Sequence, residues 1–165
     1  LESRIGNISF KPIRIGHSLG CKLHLIAPDG GRRSKCFVGI SFNNFQAGKS
    51  IPILGKIKKK LNIDTEFSPS PRETMNLIKK NYLQTDNLLI RFNNDKLDQT
   101  QQLLDNLRAR RNDRTNLIEL QGTHLTPASA GIRDFLSASE ENYADSYKND
   151  NLANLITIIY NYVSR

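Results

Sequence analysis

Tryptophan is absent from this 165-residue chain, and methionine occurs once. Cysteine is nearly so: Cys21 and Cys36 stand fifteen positions apart, with no C-x-x-C and no third ligand-like partner beside them. That excludes a disulfide-stapled scaffold and leaves two buried thiols in a reducing compartment as the expectation. The three histidines, His17, His24 and His124, show no zinc-site spacing with the cysteines. Long apolar runs are missing too. The longest, "LITIIYNYV" near the end, is far short of the ~20 residues a membrane helix needs. No signal peptide is visible, but the chain opens on Leu1 rather than methionine, so an N-terminal targeting segment cannot be judged.

What the chain does have is positive charge, a net +8, gathered at Arg32, Arg33 and Lys35, at Lys56 to Lys60 and at Arg108 to Arg114. Such an excess suits nucleic acid or an anionic membrane surface. No nucleic-acid motif accompanies it, however, and no aromatic residues interleave with the lysines, so solvated faces are the simpler reading. At 38% hydrophobic, the chain has enough apolar material for one domain with a core.

Residues 11–17, "KPIRIGH", read as a short strand, and 19–27 as a helix stopped by "PDGG". "KCFVGISF" at 35–42 has the continuous apolar character of a buried parallel strand. Regular pattern is then lost over 43–67, which suggests a lid-like excursion. It returns at "SPSPRETMNLIKKNYL", where Ser70, Pro71 and Glu73 spell an N-cap, a first-turn proline and a capping box. "NLLIRF" (87–92) predicts a third strand, 97–111 a helix with Leu103, Leu104 and Leu107 on one face, and "TNLIEL" (115–120) a fourth strand. Helices are expected around 129–138 and from about 151 to 164. Strands alternating with helices at this spacing predict an α/β fold with a parallel sheet. The expected organisation is a partial domain over 1–140 and a C-terminal helical extension over 141–165. Its first strand lies too near Leu1 to have neighbours on its N-terminal side from this chain.

"GHSLG" at 16–20 fits G-x-S-x-G, a sharp strand-to-helix turn that lifts a serine above the sheet. The turn calls for small flanking residues, which Gly16 and Gly20 supply, and the N–H of Leu19 is placed to donate to an oxyanion. A serine needs a base, and the base an orienting acid, in the chain order serine, acid, histidine. Asp95 lies three residues past one strand end, and His124 four past the next. Both fall at the C-terminal ends of parallel strands, where such sheets assemble their sites. His17, adjacent to the serine, is expected to point elsewhere, and His24 lies on the helix. Asp98 competes with Asp95, but it has a structural occupation as N-cap of the following helix with Gln101 in the capping-box place. Asp113 and Asp134 lie further from the required position.

"GHSLGCKLHL", "GISFNNFQAGKSIP", "EFSPSPRETMNLI", "LLIRFNNDKLDQT" and "GTHLTP", in this order over about residues 10 to 130, resemble the domain of unknown function 1350 family of cyanobacteria and plant plastids. The resemblance implies an α/β-hydrolase-like domain with Ser18, Asp95 and His124 on the triad positions, in a bacterial cytoplasm or a plastid. "SFNN" and "SPSPRET" would flank the active-site face. Members of that family carry an N-terminal half whose Gly-rich loop would supply a second oxyanion donor. "LESRIGNISF" is too short for it, so the chain reads as the C-terminal part of a hydrolase-like sheet, either a fragment or a truncated descendant.

The expectation is therefore a serine hydrolase acting on a small-molecule ester or acyl substrate, with no metal and no diffusible cofactor called for. The alternative is a catalytically inactive hydrolase-like scaffold that serves as an interaction or assembly factor, which leaves room for a protein partner.

Overall fold

The computed structural model describes residues 4–5, 8–45, 68–110, 113–128 and 144–165. Two short strands, β1 (Arg4–Ile5) and β2 (Ile8–Ser9), pair antiparallel at the start. The main unit follows as β3 (Arg14–His17), α1 (Leu19–Leu25), β4 (Phe37–Ile40), α2 (Pro71–Asn81), β5 (Asp86–Phe92), α3 (Thr100–Arg108) and β6 (Arg114–Leu120). A 3-10 turn over Thr126–Ala128 and a long helix α4 (Ala144–Val163) complete it. Four strands form one parallel sheet in the order β3-β4-β5-β6. Most of the excursion expected over 43–67 and the whole helix expected around 129–138 lie outside the described residues.

The strand order decides where the helices go. Each crossover steps one strand in the same direction, and parallel crossovers are right-handed, so α1, α2 and α3 must all land on one face. Their apolar stripes meet there: Cys21 and Leu25 from α1, Ile78 from α2, and Leu103, Leu104 and Leu107 from α3 pack on Phe37, Phe42 and Leu89. The opposite face, with Val38, Ile40, Leu88, Ile90 and Phe92, would be left in water. Helix α4 covers it through Leu155 and Tyr162. Fully burying side chains of this size contributes about 1.5–3 kcal/mol each. The Tyr162 hydroxyl bonds the Asp86 carboxylate, and Lys35 Nζ donates to the carbonyl of Val163 at 2.8 Å, which fixes the helix end against the sheet. Buried on both faces, β4 reads as the uninterrupted apolar run "FVGI". The two cysteines are free and sit in different clusters, on opposite faces of the sheet.

At the ends of the elements, the side chains named by sequence do as their chemistry dictates, with one exception. Ser70 and Glu73 form the reciprocal capping box of α2, with Pro71 in the first turn. The exception is α3. Its N-cap is Gln99, which makes no side-chain cap bond, and Asp98 bonds the N–H and hydroxyl of Thr100 from one residue further out. Gln101 turns along the helix to Asp105 rather than back to a cap. Among the described residues β3 forms one edge of the four-stranded sheet, and Ile15 within it and Ile13 just before it are exposed at 48% and 39%.

The two glycines of "GHSLG" differ. A Cβ on Gly16 would lie 2.8 Å from both the Cα and the N of Cys21, backbone atoms that cannot step aside. A Cβ on Gly20 would meet nothing within 4 Å. The need for a small residue is therefore confined to Gly16, and Gly20 is only a poor helix former in the first turn of α1. Gly16→Ala is expected to lower stability by about 1–3 kcal/mol, and Gly20→Ala to leave it unchanged or raise it by up to about 1 kcal/mol. Urea denaturation of the two variants checks this, and equal losses in both would contradict it.

Candidate active site

The site begins at the turn between β3 and α1. Ser18 holds φ 54° and ψ −124°, a backbone conformation costly for a residue with a Cβ. Three hydrogen bonds hold it there. Its N–H continues the sheet ladder to the carbonyl of Ile40 at 2.9 Å, and its own carbonyl accepts from the N–H of Cys21 at 3.1 Å. The Cys21 thiol then reaches back to the carbonyl of Gly16 at 3.1 Å. Burial pushes that thiol up to about 12, so it stays protonated and able to donate. Leu19 opens α1, and the first N–H groups of a helix have no acceptor within it.

The loops after β5 and β6 are stitched to each other. The N–H of Asn93 donates to Leu120 O at 3.0 Å, and that of Asn94 to Gly122 O at 3.1 Å. Asn93 Nδ2 donates to Gln121 Oε1, and Asn93 Oδ1 accepts from the N–H of Gly122. Past the crossing, Thr126 Oγ1 accepts from the N–H of Thr123 at 2.9 Å. Asp95 and His124 extend from these two joined loops.

Their side chains meet the serine. His124 Nε2 lies 2.8 Å from Ser18 Oγ, and His124 Nδ1 lies 2.7 Å from Asp95 Oδ2. A carboxylate only accepts, so Nδ1 carries the proton, and Nε2 is left as acceptor for the serine hydroxyl. The other oxygen of Asp95, Oδ1, accepts from the N–H of Leu97 at 2.8 Å, and the carboxylate side chain is wholly shielded from solvent. Asp98 is not part of this chain of contacts. Both of its oxygens are taken by Thr100, and burial raises its carboxyl above the ordinary range. Of the residues weighed from sequence, the structure thus brings Ser18, Asp95 and His124 together, sets Leu19 at the helix start beside them, and leaves Asp98 out. It also leaves out Asp113, which pairs with Arg110 and Thr115, and Asp134 lies outside the described residues.

His17 departs from expectation. It does not point away from the site: its Nε2 lies 2.9 Å from the carbonyl oxygen of His124, and the two rings are 5.0 Å apart. No pattern in the sequence announces this contact across 107 residues. His24 lies on α1 against Phe37.

The segments "SFNN" and "SPSPRET" close the same end of the sheet. Ser41 follows β4 as Ser18 follows β3, with φ 48° and a buried hydroxyl that makes no hydrogen bond among the described residues. Asn44 donates its N–H to Gln99 Oε1 at 2.7 Å and its Nδ2 to Pro71 O at 2.8 Å, so one residue ties β4 to the starts of α2 and α3. Lys22, on α1, donates to Pro69 O. A hollow lined by Asn44, Phe45, Pro71, Met75 and Gln99 opens there. Among the described residues, no group of three or more histidine, cysteine or acidic side chains could hold a metal ion, and no described helix is long and apolar enough to cross a membrane.

Burial holds the His17 imidazole below its ordinary value, reinforced by the charge of His124 and opposed by its bond to the His124 carbonyl and by Asp95. A histidine depressed in the fold binds its proton more readily when unfolded. Its contribution to stability is present above about pH 6.5 and is lost as pH falls. Thermal unfolding from about pH 8 down to about pH 5 should therefore show a fall in the wild type that is shallower in His17→Gln. Parallel curves would refute it.

A family model described as "Protein of unknown function (DUF1350)" matches residues 4–144. No curated protein matches the chain. Solved structures do, at low identity. A DcsB complex with its substrate analogue is 14% identical, with 87% of this chain and 65% of that chain covered at a TM-score of 0.45. The thioesterase domain from the curacin biosynthetic pathway is 10% identical, with 76% and 66% covered at 0.45. A monoacylglycerol lipase of Paleococcus ferrophilus is 13% identical, with 78% and 68% covered at 0.47. The chain spans less than two thirds of the length of the first two.

Proposed function

We propose that this chain, which belongs to the family described as "Protein of unknown function (DUF1350)", is a serine hydrolase acting on an ester or similar acyl substrate. The observation that carries the reading is the continuous set of contacts from Asp95 through His124 to Ser18, at 2.7 and 2.8 Å, ending on a serine in a strained turn. Those distances lie within the reach that proton transfer requires.

In this reading Ser18 Oγ attacks the substrate carbonyl while His124 Nε2 takes its proton. The oxygen of the tetrahedral intermediate gains negative charge and accepts from the N–H of Leu19. The intermediate collapses, and His124 returns the proton to the departing alcohol or thiol. An acyl group is left on Ser18. A water then gives its proton to His124 as its oxygen attacks the acyl carbon, and His124 passes that proton to the departing Ser18 Oγ as the acid is released. Asp95 holds the imidazole with Nδ1 protonated throughout and stabilises the imidazolium. The hollow bounded by Phe45, Pro71 and Met75 opens at the same end of the sheet and offers apolar surface to an acyl chain. Removing one oxyanion donor typically costs about 10²–10³ in turnover, which sets the scale of the role assigned to the N–H of Leu19.

A fluorophosphonate probe should label the folded protein at Ser18, and Ser18→Ala should abolish labelling. Asp95→Asn should slow it by up to about 10⁴-fold, since the amide favours the wrong tautomer of His124. Asp98→Asn should leave the rate near that of the wild type. Absence of labelling in folded protein would overturn the reading and favour a scaffold that has lost catalysis. Equal losses in the two aspartate variants would remove Asp95 from its role.

A further inference from the structure

The hydrolase reading uses three side chains, and His17 is not among them. We propose that His17 is a positioning residue: it donates from Nε2 to the backbone carbonyl of His124 and thereby fixes the His124 imidazole between Asp95 and Ser18. The inference rests on the proposed function, since the imidazole it positions is the proposed base.

The geometry supports it in three ways. The bond partner is a carbonyl oxygen, which only accepts, so the proton must sit on His17 Nε2 and the bond has a fixed sense. The donor stands on a rigid element. His17 is the last residue of β3, in register with Ile40 of β4 and one residue before the elbow serine. The acceptor stands on a loop, and among the described residues the other backbone hydrogen bonds of that loop fall on Gly122, Thr123, Leu125 and Thr126. The His17 bond grips residue 124 itself. It also spans the two segments that must stay in register, since β3 delivers the nucleophile and the loop after β6 delivers the imidazole. The rings, 5.0 Å apart and tilted by 42°, leave the His17 ring as a wall against which the imidazole rests.

A bond of this kind has a larger effect on rate than on stability. A neutral hydrogen bond at a part-exposed site contributes little to folding, whereas a misplacement of about 1 Å in a reacting group can cost about 10²-fold. Burial keeps His17 uncharged at neutral pH, which avoids a second cation beside the imidazolium that the mechanism forms.

The test compares His17→Phe, which keeps the ring but removes the donor, with His17→Gln, whose side-chain amide can donate from nearly the same place. Two measurements are made: the fluorophosphonate labelling rate, and the downfield NMR proton of His124 Nδ1–H against Asp95. Labelling in His17→Phe should be about ten- to a hundredfold slower, with the downfield proton lost to exchange. His17→Gln should recover most of both. Two results would overturn the proposal: wild-type rates in His17→Phe, or equal slowing in both variants. If the wild type itself is not labelled, the hydrolase reading fails, and the NMR proton still decides the positioning role. Its persistence in His17→Phe would reject that role, and its loss with recovery in His17→Gln would uphold it.

Discussion

The close approach of Gly16 to Cys21 is the constraint on which the site depends. Because Gly16 has no Cβ, the first turn of α1 can lie against the end of β3, with 2.8 Å between the Gly16 Cβ position and the Cys21 backbone. That closeness forces Ser18, caught between strand and helix, into φ 54°. The strain is held by bonds on both sides of the serine, to Ile40 O through its N–H and from Cys21 N through its carbonyl. The Cys21 thiol adds a further tie to Gly16 O. A strained residue persists only when its surroundings over-determine it, and the sheet ladder and the helix start both do so here.

A sharp turn places one atom; it cannot place its partners. They come from β5 and β6, whose register runs unbroken from Asp86↔Arg114 to Phe92↔Leu120. Since the strands are parallel and level, their following loops emerge side by side at one end. The Asn93–Leu120 and Asn94–Gly122 bonds then carry the pairing past the strand ends, so Asp95 and His124 issue from what is in effect one joined loop. Asn44 does the corresponding work across β4, α2 and α3. The rigidity of the site is inherited from the sheet.

Much of this was legible in the sequence, and the parts that were not share a cause. Strand and helix identities followed from apolar runs and periodicity, and the α2 capping box from three residues of fixed spacing, because these are local signals. The meeting of Ser18, Asp95 and His124 could be read from order and strand-end position, since a parallel sheet converts sequence order into spatial order. Three details failed. Gly20 looked as necessary as Gly16, yet only the packed turn reveals which Cβ would collide. Asp98 looked like an N-cap, but the helix starts one residue later and Thr100 supplies a competing hydroxyl. His17 looked turned away from the site, whereas its partner is a backbone carbonyl 107 residues on. Backbone acceptors have no signature in a sequence, so contacts to them are read only from coordinates.

The preference for Asp95 over Asp98 also gains a physical ground that spacing alone did not offer. A carboxylate that orients an imidazole must have one oxygen free for it and the other fixed, or the group rotates. Asp95 meets both conditions, with Oδ1 on the Leu97 N–H and Oδ2 on His124. Asp98 has neither oxygen free. Donor sense is fixed at each contact of the assembly. Leu97 N–H donates to Asp95, His124 Nδ1–H donates to Asp95, the Ser18 hydroxyl donates to His124 Nε2, and His17 Nε2–H donates to the His124 carbonyl. The carboxylate can only accept, so Asp95 sets the tautomer of the imidazole, while the Leu97 amide and the His124 carbonyl hold the two partners in place. Reversing His124 to its other tautomer would leave Asp95 Oδ2 without a donor and Nε2 with a proton facing a hydroxyl, and burial of that carboxylate makes such a loss costly.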